Sequence, residues 1–187
     1  MRILRAENYR RMRWKNGGGE TAEIAVFPED AGLDDFDWRI SMARVEAGGP
    51  FSAFLGVDRT LSILEGEGIV LEVEGRERAT LTGASAPYSF PADTVTGAEL
   101  VAGAITDLNV MTRRGRYGHK VSALEVDRSM ELSLGSEEAL LFCRSGSMLV
   151  DCDGSREQLG RFDAARLNGS GALRIEGSAQ FFLVELD

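Results

Sequence analysis

Histidine is almost missing from this chain: His119 is the single one among 187 residues. Catalytic Fe, Mn, Ni or Zn sites rest mainly on imidazole and carboxylate ligands, so no His-rich metal centre is expected. Carboxylates alone could hold Mg or Ca, but no carboxylate-rich Gly loop is present, and neither metal nor cofactor is expected. A Ser-His-Asp or Cys-His nucleophile lacks its base as well. His119 falls in Arg113-Arg114-Gly115-Arg116-Tyr117-Gly118-His119-Lys120, which reads as the connection between two halves and makes it an exposed linker histidine. Cysteine is scarce too, and Cys143 and Cys152 make no disulfide framework. Both read as reduced, structural thiols, which points to the cytoplasm. No window approaches the ~20 apolar residues that cross a bilayer, and the N-terminus has no apolar segment of the secretory kind. Positive charge is outweighed, with 21 Lys and Arg against 30 Asp and Glu, a net charge of -9. Nucleic acid and anionic membrane are therefore unfavourable partners. The short basic run Arg113-Arg114-Gly115-Arg116 fits a linker or a bound anion better than DNA.

Convincing long helices are absent, and proline is scarce, with 4 residues against 22 glycines. Short alternating or apolar runs recur instead, bounded by Gly, Asp, Asn or Pro. Strands are expected at 24–27, 38–46, 59–65, 68–73, 79–81, 98–100, 107–113, 140–144, 148–151, 172–175 and 180–186. The stretch 130–140 reads as a strand or an irregular segment. This spacing favours a sandwich or barrel. The two halves echo each other. Leu61 to Gly75 and Leu140 to Gly154 each read as strand, Gly turn, strand and polar Gly turn. In the second copy Ser145-Gly146 is read as a hairpin turn that sets Cys143 opposite Met148. Repetition at an offset of about eighty residues indicates a duplicated small barrel. Two such Gly-punctuated β-rolls look like cupins. The expected fold is all-β, a bicupin of two small jelly-roll barrels, residues 1–117 with the ligand pocket and 118–187 packed against them.

Five segments carry polar chemistry. In Trp38-Arg39-Ile40-Ser41-Met42-Ala43 alternation sets Trp38, Ile40 and Met42 on a core face and Arg39, Ser41 and Ala43 on the other. Small residues beside a guanidinium read as a pocket wall for a carboxylate; the alternative is a surface arginine. In Asp107-Leu108-Asn109-Val110-Met111-Thr112-Arg113, Asp107, Asn109 and Arg113 share one face. Asp and Asn are poor strand formers, so a polar cavity or solvent must explain them. Gly49-Pro50-Phe51-Ser52 places an aromatic at a cavity mouth, and Asp58-Arg59 offers a second cation or a local ion pair. Finally, WKNGGGET (Trp14, Lys15, Asn16, Gly17, Gly18, Gly19, Glu20, Thr21) combines a flat wall, two donors and three glycines whose N–H groups can approach a ligand closely. It reads as the rim of a site for a small anion, or as a flexible turn.

These blocks, WKNGGGET, FDWRISMA, GPFS, DRT, LEG and DLNVMTRR, occur in order within roughly the first 115 residues. Together they resemble the HutD/Ves family. The resemblance implies a bicupin without the metal ligands and an association with bacterial histidine utilisation. It further implies a non-catalytic role in binding a pathway intermediate, urocanate or formylglutamate, to restrain that pathway. The ligand would be a small anionic metabolite. Arg39 with Arg59 or Arg113 would clamp its carboxylate. Lys15, Asn16 and Asn109 would donate to it, with Ser41 and Ser52 alongside, and Asp107 would orient a basic group. Trp14 and Phe51 would sandwich its flat part. Two rivals remain: a metal-free enzyme with Lys15 or Asp107 as acid/base, and an interaction module with an acidic docking surface. Exposed sheet edges leave room for a homodimer.

Overall fold

Alternating sequence and frequent glycine turn almost the whole chain into strands. The computed structural model describes residues 1–169 and 171–187. Its order is β1 (Arg2–Leu4), a 3-10 turn (Ala6–Asn8), β2 (Arg10–Arg13), β3 (Gly19–Phe27), β4 (Trp38–Val45), β5 (Gly49–Pro50), β6 (Val57–Glu65), β7 (Ile69–Val73), β8 (Ala79–Leu81), β9 (Tyr88–Pro91), β10 (Thr96–Leu100) and β11 (Ile105–Arg113). It continues with β12 (His119–Ser133), β13 (Glu138–Cys152), β14 (Ser155–Leu159), β15 (Ala164–Asn168) and β16 (Ala172–Leu186). No α-helix occurs among the described residues.

The chain divides into two compact units, Arg10–Gly118 and His119–Asp187, the latter joined by Met1–Tyr9. A boundary between residues 117 and 118 did not anticipate that the first nine residues go with the C-terminal unit. They do so because β1 pairs with β15 and because Asp163 accepts both Arg5 Nη1 (2.9 Å) and the Ala6 N–H (3.0 Å). Tyr9 Oη adds a bond to the Phe162 carbonyl at 2.7 Å.

In the Arg10–Gly118 unit one sheet runs β2-β3-β4-β11-β6-β9 and a second runs β5-β10-β7-β8. Leu61 and Ile63 of the first sheet meet Ile69, Leu71 and Ala98 of the second in one apolar cluster. Each of these strands turns its apolar face inward, as period-two alternation requires.

The other unit has one six-stranded sheet, β1-β15-β13-β16-β12, with β14 on β13. Here Ser145-Gly146 is no hairpin turn. The strand β13 runs unbroken for 15 residues, and the register shifts between Cys143 and Ser145. Cys143 lies opposite Phe181 rather than Met148. A β-bulge kinks a strand without ending it. Gly146 has φ +77°, and a Cβ there would stand 2.1 Å from the Ser178 carbonyl oxygen. The local sequence carries the glycine; the neighbouring strand decides that it bends rather than turns. Both cysteines are free, Cys143 buried and Cys152 partly so. The stretch 130–140 holds the end of β12, a short connection and the start of β13. His119 is the first residue of β12, opposite Leu186, so it belongs to the sheet and not to a linker.

The same pairing scheme recurs in both units. The last long strand lies between the first two, β11 between β4 and β6, and β16 between β12 and β13. β8 pairs β7 and β9 pairs β6, as β14 and β15 pair the two ends of β13.

Candidate functional site

Strand β4 separates two environments. Trp38 and Ile40 are wholly buried and Met42 nearly so, with Trp38 stacked on Phe27 at 6.0 Å between centroids. On the opposite face Arg39, Ser41, Ala43 and Val45 line a cavity of about 820 Å³ inside the Arg10–Gly118 unit. The neighbouring β11 alternates likewise, with Leu108 and Val110 turned away and Asp107, Asn109 and Met111 turned into the cavity. Register makes these side chains neighbours: Met111 lies between Arg39 and Arg59, Asn109 between Ser41 and Leu61, and Asp107 between Ala43 and Ile63.

The polar groups form two chains of contacts. Arg59 Nε donates to Asn109 Oδ1 at 2.8 Å, a second donation from Arg59 Nη2 reaches the same oxygen, and Asn109 Nδ2 donates to Asp107 Oδ1 at 2.6 Å. The guanidinium of Arg59 lies 4.4 Å from the Phe51 ring centroid and 5.8 Å from that of Phe90. Such stacking orients a cation while leaving its edge free to donate. In the second chain Arg39 Nε donates to Glu23 Oε2 at 2.7 Å and Arg39 Nη1 to Ser41 Oγ at 3.4 Å. Glu23 is shared with the exposed Arg10, 3.1 Å away.

Burial sets the protonation energetics. Asp107 is 1% exposed, and desolvation pushes its carboxyl up to about 6, against the opposing pull of Arg59, Asn109 and the Ala43 backbone. Desolvation brings the Arg59 guanidinium down to about 10, with Asp107 opposing and Arg39 adding to the effect. Arg59 therefore stays charged at neutral pH. Four cations, Arg13, Lys15, Arg39 and Arg59, line the cavity with the single carboxylate of Asp107. That donor set suits an anion. It does not suit the divalent metal that cupin folds can hold, since among the described residues no imidazole and only one carboxylate face the space.

The glycine triplet is an ordered turn. Trp14 N–H donates to the Gly19 carbonyl, and Gly17 N–H to the Trp14 carbonyl. Gly18 N–H donates to Asn16 Oδ1 at 3.0 Å. Two of the N–H groups that might have served a ligand are thus used by the β2–β3 hairpin itself. Gly17 is needed for its φ of +72°, and Gly19 because a Cβ would stand 2.3 Å from the Arg44 carbonyl oxygen and 3.1 Å from the Trp14 ring. Trp14 Nε1 donates to Thr21 Oγ1 at 2.8 Å, which holds the indole over the cavity mouth.

Of the residues singled out from sequence, Trp14, Lys15, Asn16, Arg39, Ser41, Phe51, Ser52, Arg59, Asp107 and Asn109 all line this one cavity. Arg113 does not. It shares the alternation of β11, but the strand ends with it, and its guanidinium donates to the carbonyls of Phe36, Leu55 and Asp34 and stacks on Phe36. It braces two loops. Sequence reasoning missed Glu23, the partner of Arg39, and Phe90, the second ring beside Arg59. Glu23 lies at a register shift in β3, where simple alternation gives no reliable face. An acidic residue inside the apolar run Ala22-Glu23-Ile24-Ala25-Val26 was the available signal.

Comparison with known proteins follows this geometry. The HutD family model matches residues 6–184. A 21.2 kDa protein from the hutC 3′ region of Pseudomonas putida is 36% identical, covering 100% of this chain and 97% of its own. Protein Ves of Citrobacter koseri is 40% identical over 72% of this chain and 68% of its own. The structure of HutD from Pseudomonas fluorescens SBW25, described as a formate condition, is 32% identical with a TM-score of 0.85, covering 99% of this chain and 97% of that one. Likeness at 9% identity and TM-score 0.76 to Ylba from E. coli concerns the fold alone, and it groups the all-β architecture with the cupins. The family match over nearly the whole length and relatives above 30% identity agree with one another, and the chain belongs to the HutD family.

Proposed function

We propose that the protein is a non-catalytic binder of a small carboxylate metabolite that modulates histidine utilisation by holding urocanate or formylglutamate. One observation carries this reading. A chain of net charge -9 gathers Arg13, Lys15, Arg39 and Arg59 around a cavity with one carboxylate. Sequestering cations in an acidic chain makes sense where a desolvated anion is to be held. Arg59 and Arg39 supply planar forks that match a carboxylate, and each charge-assisted bond contributes about 1.5–3 kcal/mol. Trp14 and Phe51 supply flat apolar walls for the rest of the molecule. Kinship with a hutC-region protein and with a HutD described under a formate condition supports both the pathway and the carboxylate.

A second reading is a metal-free enzyme acting on a small organic acid. The carboxyl of Asp107, pushed up to about 6 inside the cavity, favours it, because an acid/base works best near the ambient pH. Calorimetric titration with urocanate, formylglutamate, glutamate and formate, with product analysis of each mixture, separates the two. Saturable binding of one acid without product is the expected result. Product would make Asp107 the residue to mutate first. No binding by any of the four would detach the cavity from this chemistry.

A further inference from the structure

Both inner arginines of the cavity already have a counter-charge. Arg39 is paired directly with Glu23 on β3 at 2.7 Å. Arg59 on β6 faces Asp107, but Asn109 stands between them and passes the contact on. The further cations of the lining, Arg13 and Lys15, are exposed, so an anion that reaches the inner arginines meets groups already matched, and adding an unmatched charge to a desolvated region is costly. One group can relieve this. Asp107 is the only carboxylate lining the cavity among the described residues, and it is buried to 1% exposure. We infer that the cavity couples uptake of its anion to protonation of Asp107. This rests on the carboxylate-binding reading and deepens it.

The groups around Asp107 are consistent with a proton there. On its own strand Asn109 donates to it, and Asn109 does not titrate. Arg39 on β4 and Arg59 on β6 face the same space, and the β2–β3 hairpin contributes Arg13 and Lys15 to it. Glu23 on β3 keeps two arginine partners, Arg39 and Arg10. Glu65, at the end of β6, accepts from Thr106 Oγ1 at 2.7 Å. The lining residues from β5 and β10, Gly49, Pro50, Ala98 and Leu100, bring no charge. A proton on Asp107 leaves the Asn109 bond intact, since the carbonyl oxygen of the acid still accepts. It leaves the charge of Arg59 uncompensated and available to the incoming carboxylate. Desolvation already brings this carboxyl near neutrality, so little further push is needed to protonate it. A nearby ligand anion supplies that push, because like charges at close range cannot both persist.

Formate is the probe, because its own carboxyl stays ionised across the range studied. Its affinity is measured by NMR titration from about pH 7.5 to about pH 5, with the carboxyl carbon of Asp107 followed in the same samples. Calorimetry in buffers of different ionisation enthalpy counts the protons taken up. The expected result is a gain of about five- to tenfold in affinity as pH falls, for a rise of about one pKa unit on binding. It comes with net proton uptake above pH 6 and an Asp107 carboxyl that protonates at higher pH when formate is bound. Asp107→Asn should bind formate at pH 7.5 at least as tightly as the parent does at pH 5, with no pH dependence. Binding that is independent of pH, with no proton uptake by the parent protein, overturns the inference and leaves carboxylate binding standing. Absence of formate binding at every pH overturns both.

Discussion

On the central strand of the first barrel, Asp107 and Asn109 lie opposite Ile63 and Leu61; at the matching rungs of the second, Phe181 and Leu183 lie opposite Cys143 and Leu141. Two residues further along the ladder Arg59 of the first barrel answers to Ala139 of the second. On the other flank Ala43 and Ser41 answer to Leu124 and Ser122. One pairing scheme thus carries a polar, hollow interior in one copy and an apolar cluster of Phe181, Leu141, Leu183 and Cys143 in the other. The ladder bonds are made by backbone groups and do not depend on which side chains face inward. The inward face is therefore free to differ. Burying Phe181 and Leu183 stabilises the fold at roughly 25 cal/mol per Å² of apolar surface. Burying Arg39, Arg59 and Asp107 opposes it unless each finds a partner, which explains Glu23 and the bridging Asn109.

The sharpest way to break this contrast is to hollow the filled barrel. Phe181→Ala should cost about 3–5 kcal/mol in urea unfolding, since the packed neighbours cannot close the hole. A loss below 1 kcal/mol would mean that the second interior is as yielding as the first. Next comes the bend in β13. Gly146→Ala adds a Cβ 2.1 Å from the Ser178 carbonyl oxygen at φ +77°. The expected loss is roughly 2–4 kcal/mol, combining left-handed strain with a backbone clash. Gly97→Ala in β10, where a Cβ meets nothing within 4 Å, should stay within about 0.5 kcal/mol of the parent.

A smaller effect distinguishes the hollow barrel by pH. The carboxyl of Asp107 is raised from 3.8 to about 6, so the folded chain holds this proton more tightly than the unfolded chain does. Its contribution to stability is therefore greatest at low pH and falls as pH rises from about 4 to about 6. The size is roughly 2–3 kcal/mol. Unfolding of the parent and of Asp107→Asn, compared across that window, isolates it from groups such as Asp163, whose carboxyl is lowered and whose effect has the opposite sign. A constant difference between parent and variant would contradict the buried, desolvated Asp107. The finest test concerns the ligand: Arg39→Ala should weaken carboxylate binding about tenfold to a hundredfold, for a lost charge-assisted bond. Unchanged affinity would remove Arg39 from the site.

Much of this contrast is written locally. The alternation in Trp38-Arg39-Ile40-Ser41-Met42-Ala43 assigns each residue to a face, because consecutive side chains of a strand must point to opposite sides. Asp107 and Asn109 on one face of a strand call for a polar cavity or for solvent, and the folded chain decides for the cavity. The near absence of histidine by itself removes the usual cupin metal ligands. Other features depend on which strand comes to lie alongside. Gly66 and Gly146 look alike in sequence, yet the first stands where β6 ends and the second inside an unbroken β13. Arg113 shares the face of Asp107 by counting, but it is drawn to the carbonyls of Phe36, Leu55 and Asp34 beyond the end of the cavity. Glu23, Phe90 and the cavity itself exist only through pairing between segments distant in the chain. Residue type and period two are local properties, and the sequence determines them alone. Which glycine bends, which arginine faces the cavity and which carboxylate lies beside it are decided by neighbours that only the folded chain brings within a few ångströms.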